Sequence, residues 1–253
     1  MTNTIESTGA WYLRCTPEQV ADRAVLVGDR GRVLLAAEIL DQATILNEDR
    51  GLTTATGFWH GAAITVSAFG MGAPIAAVVL HELAAIGVRT VIRLGTVLAL
   101  GNTLLGDFVV ADCALGRDGT TASYVEAGYP AVGDLVLTSS LRDHALMVTD
   151  NVRVGMVASF DGFYSQMFAD PRVPGSTTID FAPLVKQGVI AADMETAAIL
   201  AVGRALGVRA ASLCLASVDG RTHATLGAQE RRDAQEQLLI AGFNTLAALP
   251  ASI

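Results

Sequence analysis

Short apolar runs alternate with helical patterns from one end of the chain to the other, and each run stops at a small or polar turn. That alternation reads as an α/β domain. Strands are predicted over residues 24–28, 62–69, 90–94, 107–112, 152–159 and 210–216. Helices are predicted over about 31–40, 74–86, 134–147, 194–206 and 228–247. Pro74 suits a first helical position, and Gly87 and Gly207 suit C-terminal caps. No repeat, low-complexity stretch or Pro/Gly/Ser-rich linker divides the chain, so residues 1–253 read as a single domain.

A hydrophobic content of 51% is enough for a large core and leaves no room for disorder. The net charge of −8 argues against a nucleic-acid or anionic-membrane surface, so any anion site must be a local cluster of arginines. Residues 51–80 carry no charge, yet their glycines, threonines and proline are too dense for a lipid-spanning helix. Residues 1–10 lack the basic start and apolar run of a signal peptide. Cys15, Cys113 and Cys214 are odd in number and far apart, without metal spacing, which suits a reduced, cytoplasmic protein with no metal.

Chemistry-bearing residues gather at predicted strand ends: Gly28-Asp29, Arg93 to Thr96, Ser159 to Asp161, and Ser217 to Asp219. In open α/β sheets ligands bind at such ends, and four of them suggest one converging pocket. Gly28-Asp29-Arg30-Gly31-Arg32 lies between a strand and a helix, where backbone amides and Arg32 suit a phosphate. It is neither a Walker loop nor a dinucleotide fingerprint. Arg93 interrupts an apolar strand and is either a buried ion-pair partner or an anion ligand. Asp193-Met194-Glu195 opens an otherwise apolar stretch over residues 189–202. With a helix from Met194, Glu195 falls in the first turn, ionised and ready to accept from polyol hydroxyls; the alternative is a plain N-cap at Asp193. Of Phe163 and Tyr164, one is expected in the core and one stacked on a planar ligand. Asp219, on a flexible Val218-Asp219-Gly220-Arg221 turn, is either a mobile general acid or a surface residue, and Arg231 either its partner or solvated. Arg50 taken alone is a loop charge, and the four histidines have no metal spacing or nucleophile partner.

Taken in order, these segments resemble the nucleoside phosphorylase family of hexameric purine nucleoside phosphorylases and uridine phosphorylases. GDRGR is similar to the family's GDPxR loop, FGMGAPIAAVVLHEL to its GMGxPSxxxxxxEL, IRLGT to its IRxGS/T, and ADMETAAIL to its xEMExAxL. Residues 118–135 resemble its loop and PAVxDF stretch. The resemblance implies a single-domain, three-layer α/β fold with a mixed central sheet flanked by helices. It implies a pentosyltransferase without cofactor or metal, in which inorganic phosphate, as co-substrate, cleaves a nucleoside to free base and (deoxy)ribose 1-phosphate. Gly28, Arg32, Arg50, Arg93 and Thr96 would bind phosphate, while Tyr12, Phe163, Met194, Glu195 and Val218 would surround sugar and base. Asp219 and Arg231 would form the catalytic pair that protonates a purine. A dimer-based homo-oligomer, a hexamer in the family, would let Arg50 and Tyr12 complete a neighbour's site.

Several positions depart from the family pattern. Tyr12 replaces a histidine, Val97-Leu98 replaces a small residue and glycine, and Asp193 replaces glutamate. Asp219 lies one residue late, with Val218 in the expected place. Gln166 is out of register with the glutamine that reads uracil, and Phe168 falls where the companion arginine belongs. Purine nucleosides are the first reading and uridine the second. A hydrolytic nucleosidase, which retention of the phosphate arginines opposes, and a catalytically inactive ligand-binding homologue complete the alternatives.

Overall fold

The computed structural model describes residues 10–126, 128–175 and 177–250. The signal-peptide reading of residues 1–10 thus falls almost wholly outside the described residues. Among the described residues ten strands form one mixed sheet: β1 (Arg23–Val27), β2 (Asp41–Asn47), β3 (Thr54–Trp59), β4 (Ala62–Ala68), β5 (Thr90–Ala99), β6 (Phe108–Arg117), β7 (Ala131–Val132), β8 (Val152–Phe160), β9 (Val189–Asp193) and β10 (Arg209–Asp219). The order is β10-β6-β8-β9-β5-β1-β4-β3-β2, with β7 beside β6. A further parallel pairing of β10 with β5 closes β5, β10, β6, β8 and β9 into a ring. Val97, Ala99, Val109, Ala111, Val157, Ala191, Cys214 and Ala216 form one buried cluster drawn from all five strands. So narrow a ring leaves room for little more than small side chains.

Helices cover both faces: α1 (Arg30–Ile39), α2 (Ala73–Ala85), α3 (Gly119–Tyr124), α4 (Leu135–Leu146), α5 (Ala182–Lys186), α6 (Thr196–Leu206) and α7 (Ala228–Ala247). Alternation along the strands decides which helices meet which face. Ala24, Leu26 and Val91 pack with α2 and α6, whereas Val25, Val27, Ile92 and Leu94 pack with α1, α4 and α7. The result is the expected three-layer arrangement with a mixed central sheet.

The strand expected over 90–94 continues to Ala99, and that over 107–112 to Arg117. Strands β2, β3, β7 and β9 were not anticipated. β9 is the start of the apolar 189–202 stretch, where a short buried strand and a buried helix look alike by periodicity. β2 is an edge strand, largely exposed and rich in polar residues, so it carries little apolar pattern. The β3–β4 hairpin did carry a signal, His60-Gly61, whose φ of 49° and 82° fit a tight two-residue turn.

Candidate functional site

One edge of β5 changes neighbour partway along. Leu26 pairs with Arg93 in the β1 register, while the β9 register begins at Leu98 opposite Ala192. In the interval between them β1 and β9 diverge, and a cavity of about 560 Å³ opens there. This is a switch point of the kind at which α/β sheets bind ligands. A backbone carbonyl left without a strand neighbour needs another partner. Arg32 supplies it, donating from Nη1 to the Leu94 carbonyl at 2.6 Å.

The loop at residues 28–32 forms because β1 ends at Val27 and α1 begins at Arg30, capped by the Asp29 carboxylate accepting from Gly31 N at 2.8 Å. Gly28 lies so close to the next loop that a Cβ there would stand 2.8 Å from the Gly70 carbonyl oxygen. Gly28, Asp29, Arg30 and Arg32 line the cavity at the positive end of α1. Arg32 and Arg93 are both buried, and the Nε of each has no hydrogen-bond partner. Burial, then the neighbouring Arg93 charge, lowers the Arg32 pKa, yet a guanidinium stays protonated. Two adjacent cations with unused donors are arranged for an anion.

Of the two alternatives raised for Arg93, the structure shows the buried ion-pair partner. Its Nη2 lies 2.5 Å from Glu195 Oε2 and 3.1 Å from Asp193 Oδ2, and Nη1 lies 2.6 Å from Cys214 Sγ. Burial alone would lower its pKa, but Cys214, Asp193 and Glu195 more than offset that and raise it. Glu195 also accepts from Gly72 N at 2.6 Å, with Gly72 in a conformation, φ 99°, that favours glycine. Asp193, at the end of β9, accepts from Ser159 Oγ at 2.6 Å and from Thr196 N and Oγ1 at 3.1 and 2.5 Å. Its carboxylate therefore caps α6, which starts at Thr196, so Glu195 is the residue before the helix and not in its first turn as expected.

Thr96, Val97, Leu98, Phe163, Met194 and Val218 carry the lining onward from the arginines. Phe163 stacks on Phe168 with ring centres 4.8 Å apart, and Phe168 in turn packs on His223 at 4.7 Å. Tyr164 is the more exposed of the neighbouring aromatics and stands edge-on to Phe163. Of the four strand ends expected to converge, the one at Ser159 to Asp161 does not line the cavity. Ser159 is spent on Asp193, Asp161 accepts from Gly119 N, and that strand contributes through Phe163 beyond it.

Three expected site residues lie elsewhere. Asp219 is outside the lining; its carboxylate accepts from the backbone N of Thr222 and Arg221 at 2.8 Å each, and the Arg221 guanidinium is 3.1 Å away. Those bonds, the Thr222 amide first, hold its pKa well below the usual carboxylate range, the opposite of what a general acid requires. Arg231 does not reach it: among the described residues no ion pair joins them, and Arg231 Nη2 instead lies 3.5 Å from the Leu226 carbonyl. Tyr12 is also outside the lining, with the Arg50 guanidinium 5.2 Å from its ring centre, while Arg50 lines the cavity of its own chain. Gln166 is bound locally, accepting from Gly162 N at 2.9 Å. Gly70 and Met71 were missed as lining residues; the glycines of the Gly70-Met71-Gly72 turn were the signal.

Fold and site together define an α/β protein whose main cavity opens at a sheet switch point and is lined by two buried arginines. Residues 22–249 match the phosphorylase superfamily, and the chain belongs to that family. It is 32% identical to the uridine phosphorylase of Thermococcus kodakarensis over 209 residues, covering 81% of this chain and 75% of that protein. It is 31% identical to the guanosine phosphorylase of Halorubrum lacusprofundi over 220 residues, covering 87% and 86%. The crystal structure of uridine phosphorylase from Vibrio fischeri superposes with a TM-score of 0.81 at 26% identity, covering 97% of this chain and all (100%) of that one. Purine nucleoside phosphorylase from Toxoplasma gondii shares the fold, with a TM-score of 0.85 at 20% identity over 98% and 97% of the two chains. No helix of the described residues is long and apolar enough to cross a membrane.

Proposed function

We propose that this chain is a nucleoside phosphorylase, a pentosyltransferase in which inorganic phosphate attacks the anomeric carbon and the base departs. The observation that carries the reading is the pair of buried guanidinium groups, Arg32 and Arg93, each with an unused Nε–H at the open edge of β5. A buried donor without a partner is costly, and a bound phosphate supplies the partner. Glu195, beside Arg93, is the acceptor for sugar hydroxyls, and Met194 and Phe163 flank the sugar. Phosphate held close and fixed dipoles around the ring favour an oxocarbenium-like transition state. The scheme uses phosphate as co-substrate and no metal or other cofactor.

The first expectation favoured purines through Asp219. With that carboxylate ionised and turned into its own loop, the support for a purine-protonating acid is lost, and Val218 is the pocket wall. Uridine is thereby favoured as the second reading, because a uracil anion leaves without an acid, and several relatives bear the name uridine phosphorylase. The working form is a dimer-based homo-oligomer, a hexamer as in the resembled family, supported by the exposed Trp11 and Met71, of which Met71 borders the cavity. Three unpaired cysteines suit the cytoplasm. The deciding experiment is a panel of purine and pyrimidine nucleosides incubated with and without phosphate, with free base quantified. Phosphate-dependent release is expected; equal release without phosphate refutes the reading.

A further inference from the structure

Glu82 is a buried carboxylate on α2 that the proposed reaction does not use, and it takes part in no ion pair among the described residues. Its partners are backbone amides. Tyr12 N donates to Oε1 and Oε2 at 3.1 and 3.0 Å, and Leu13 N donates to Oε2 at 2.9 Å. These amides belong to a turn that closes on itself, with Arg14 N donating to the Ala10 carbonyl at 2.8 Å and Ala10 N to the Cys15 carbonyl at 3.1 Å. Leu13 and Cys15 are buried, so the turn is seated in the core by its apolar side chains and on Glu82 by its amides. The same turn meets the segment that carries Arg50. Asn47 Nδ2 donates to the Tyr12 carbonyl at 3.4 Å and to the Leu52 carbonyl at 3.0 Å, and Arg14 pairs with Asp49 at 2.5 Å. The Arg50 guanidinium stands 5.2 Å from the centre of the Tyr12 ring. Arg50 lines the cavity with a φ of 57°, a conformation that a side chain other than glycine keeps only where its surroundings hold it.

We propose that Glu82 is a positioning residue for the anion site: it fixes the turn at residues 10–15, the Tyr12 ring backs Arg50, and Arg50 is thereby held at the cavity for phosphate. The proposal rests on the phosphorolysis reading, in which Arg50 is a phosphate ligand, and deepens it. A carboxylate suits the task because an amide donating to an ionised acceptor makes a stronger bond than one donating to a neutral acceptor. Glutamine is not equivalent. With its one oxygen in the place of Oε2, where both amides donate, its –NH2 would face Tyr12 N at 3.1 Å, donor against donor. Turned round, it would leave Leu13 N without an acceptor in the core. Either arrangement loosens the turn, and with it the ring under Arg50.

The test is a double-mutant cycle read by the Kd for inorganic phosphate, measured by titration calorimetry on the assembled protein. Glu82→Gln is expected to weaken phosphate binding about three- to tenfold, the effect of taking from an exposed cation its aromatic backing and its fixed place. In the Arg50→Ala background the same substitution is expected to change Kd by less than about twofold, because its route to the anion is already gone. A smaller change than about twofold in the otherwise wild-type protein overturns the proposal, and so does a larger one in the Arg50→Ala background. A merely structural role gives equal effects in the two backgrounds. Tyr12→Leu removes the ring and leaves the amides of the turn on Glu82, so it must meet the same two thresholds, and it decides alone if Glu82→Gln does not fold. Base release that is equal with and without phosphate refutes phosphorolysis, while the cycle on phosphate binding still decides the role of Glu82. Wild-type protein that binds no phosphate overturns both.

Discussion

Gly95→Ala tests the proposed anion site through a lining residue that has no side chain of its own to offer a ligand. Gly95 is two residues beyond Arg93 on β5, and a Cβ built there would overlap the Arg93 guanidinium, falling 2.9 Å from Nη2 and closer still to Nη1 and Cζ. The guanidinium has no slack, because it is wedged among Cys214, Asp193 and Glu195 at 2.6, 3.1 and 2.5 Å. Its displacement removes at least one charge-assisted contact to phosphate, worth about 1.5 to 3 kcal/mol. At about 1.4 kcal/mol per factor of ten, kcat/KM for phosphate should fall roughly 10- to 150-fold. Backbone strain is not a competing cause, since Gly95 is not among the residues with positive φ. In a strand interior alanine is otherwise favoured over glycine by about 0.5 to 1 kcal/mol. If the ion pair loosens, that gain is outweighed, because breaking a buried pair costs about 3 to 5 kcal/mol. Phosphate saturation curves at fixed nucleoside, with a thermal melt of each protein, decide the matter. A phosphate KM within twofold of wild type and an unchanged or higher melting temperature would refute the claim that Arg93 depends on this gap.

Arg32→Ala removes one of the two unused donors and leaves the Leu94 carbonyl without its partner, so the phosphate KM should rise about tenfold or more; an unchanged KM removes Arg32 from the site. Glu195→Gln keeps the volume but leaves only one acceptor atom where Gly72 N and Arg93 now use two, and nucleoside turnover should drop at least about tenfold with far-UV circular dichroism unchanged. Full activity in that variant would place the sugar elsewhere. Asp134 caps α4 by accepting from Leu137 N at 2.8 Å and pairs with Arg209 at 3.0 Å, so Asp134→Ala should cost about 1 kcal/mol in urea unfolding at neutral pH. The Arg209 hydrogen bond first, and the cap with it, lower the Asp134 pKa. A lowered carboxylate pKa stabilises the fold above the unfolded value of about 3.9 and loses that effect as pH falls through the folded value. The gap between wild type and variant should therefore shrink in acid; one that widens there would reverse the assignment. Its electrostatic part is small, because both partners are partly exposed.

What the chain's pattern revealed and what it hid follow from how each feature is encoded. The arginine-lined end of the cavity was legible because its devices are local: a strand, a glycine turn, a capped helix and Arg32 occur within ten residues, and Arg93 stands out as a charge inside an apolar strand. The gap that makes a pocket was not legible. It arises because β5 exchanges β1 for β9, and β9 sits nearly a hundred residues later in a stretch whose apolar content fits strand and helix equally. The roles of Asp193 and Glu195 turned on that same boundary. With the strand ending at Asp193, its carboxylate caps the helix and Glu195 is freed to face Arg93 and Gly72, a division that no spacing of the three residues predicts. Asp219 illustrates the converse. Its neighbourhood in sequence is that of an active-site acid, but two amides within three residues and the Arg221 guanidinium bind the carboxylate locally, and local bonds to an ionised carboxylate lower the pKa that acid catalysis needs raised. The same turn that binds the Asp219 carboxylate puts Val218 on the wall, so the apolar lining there and the absence of that carboxylate from the cavity are two consequences of one loop conformation.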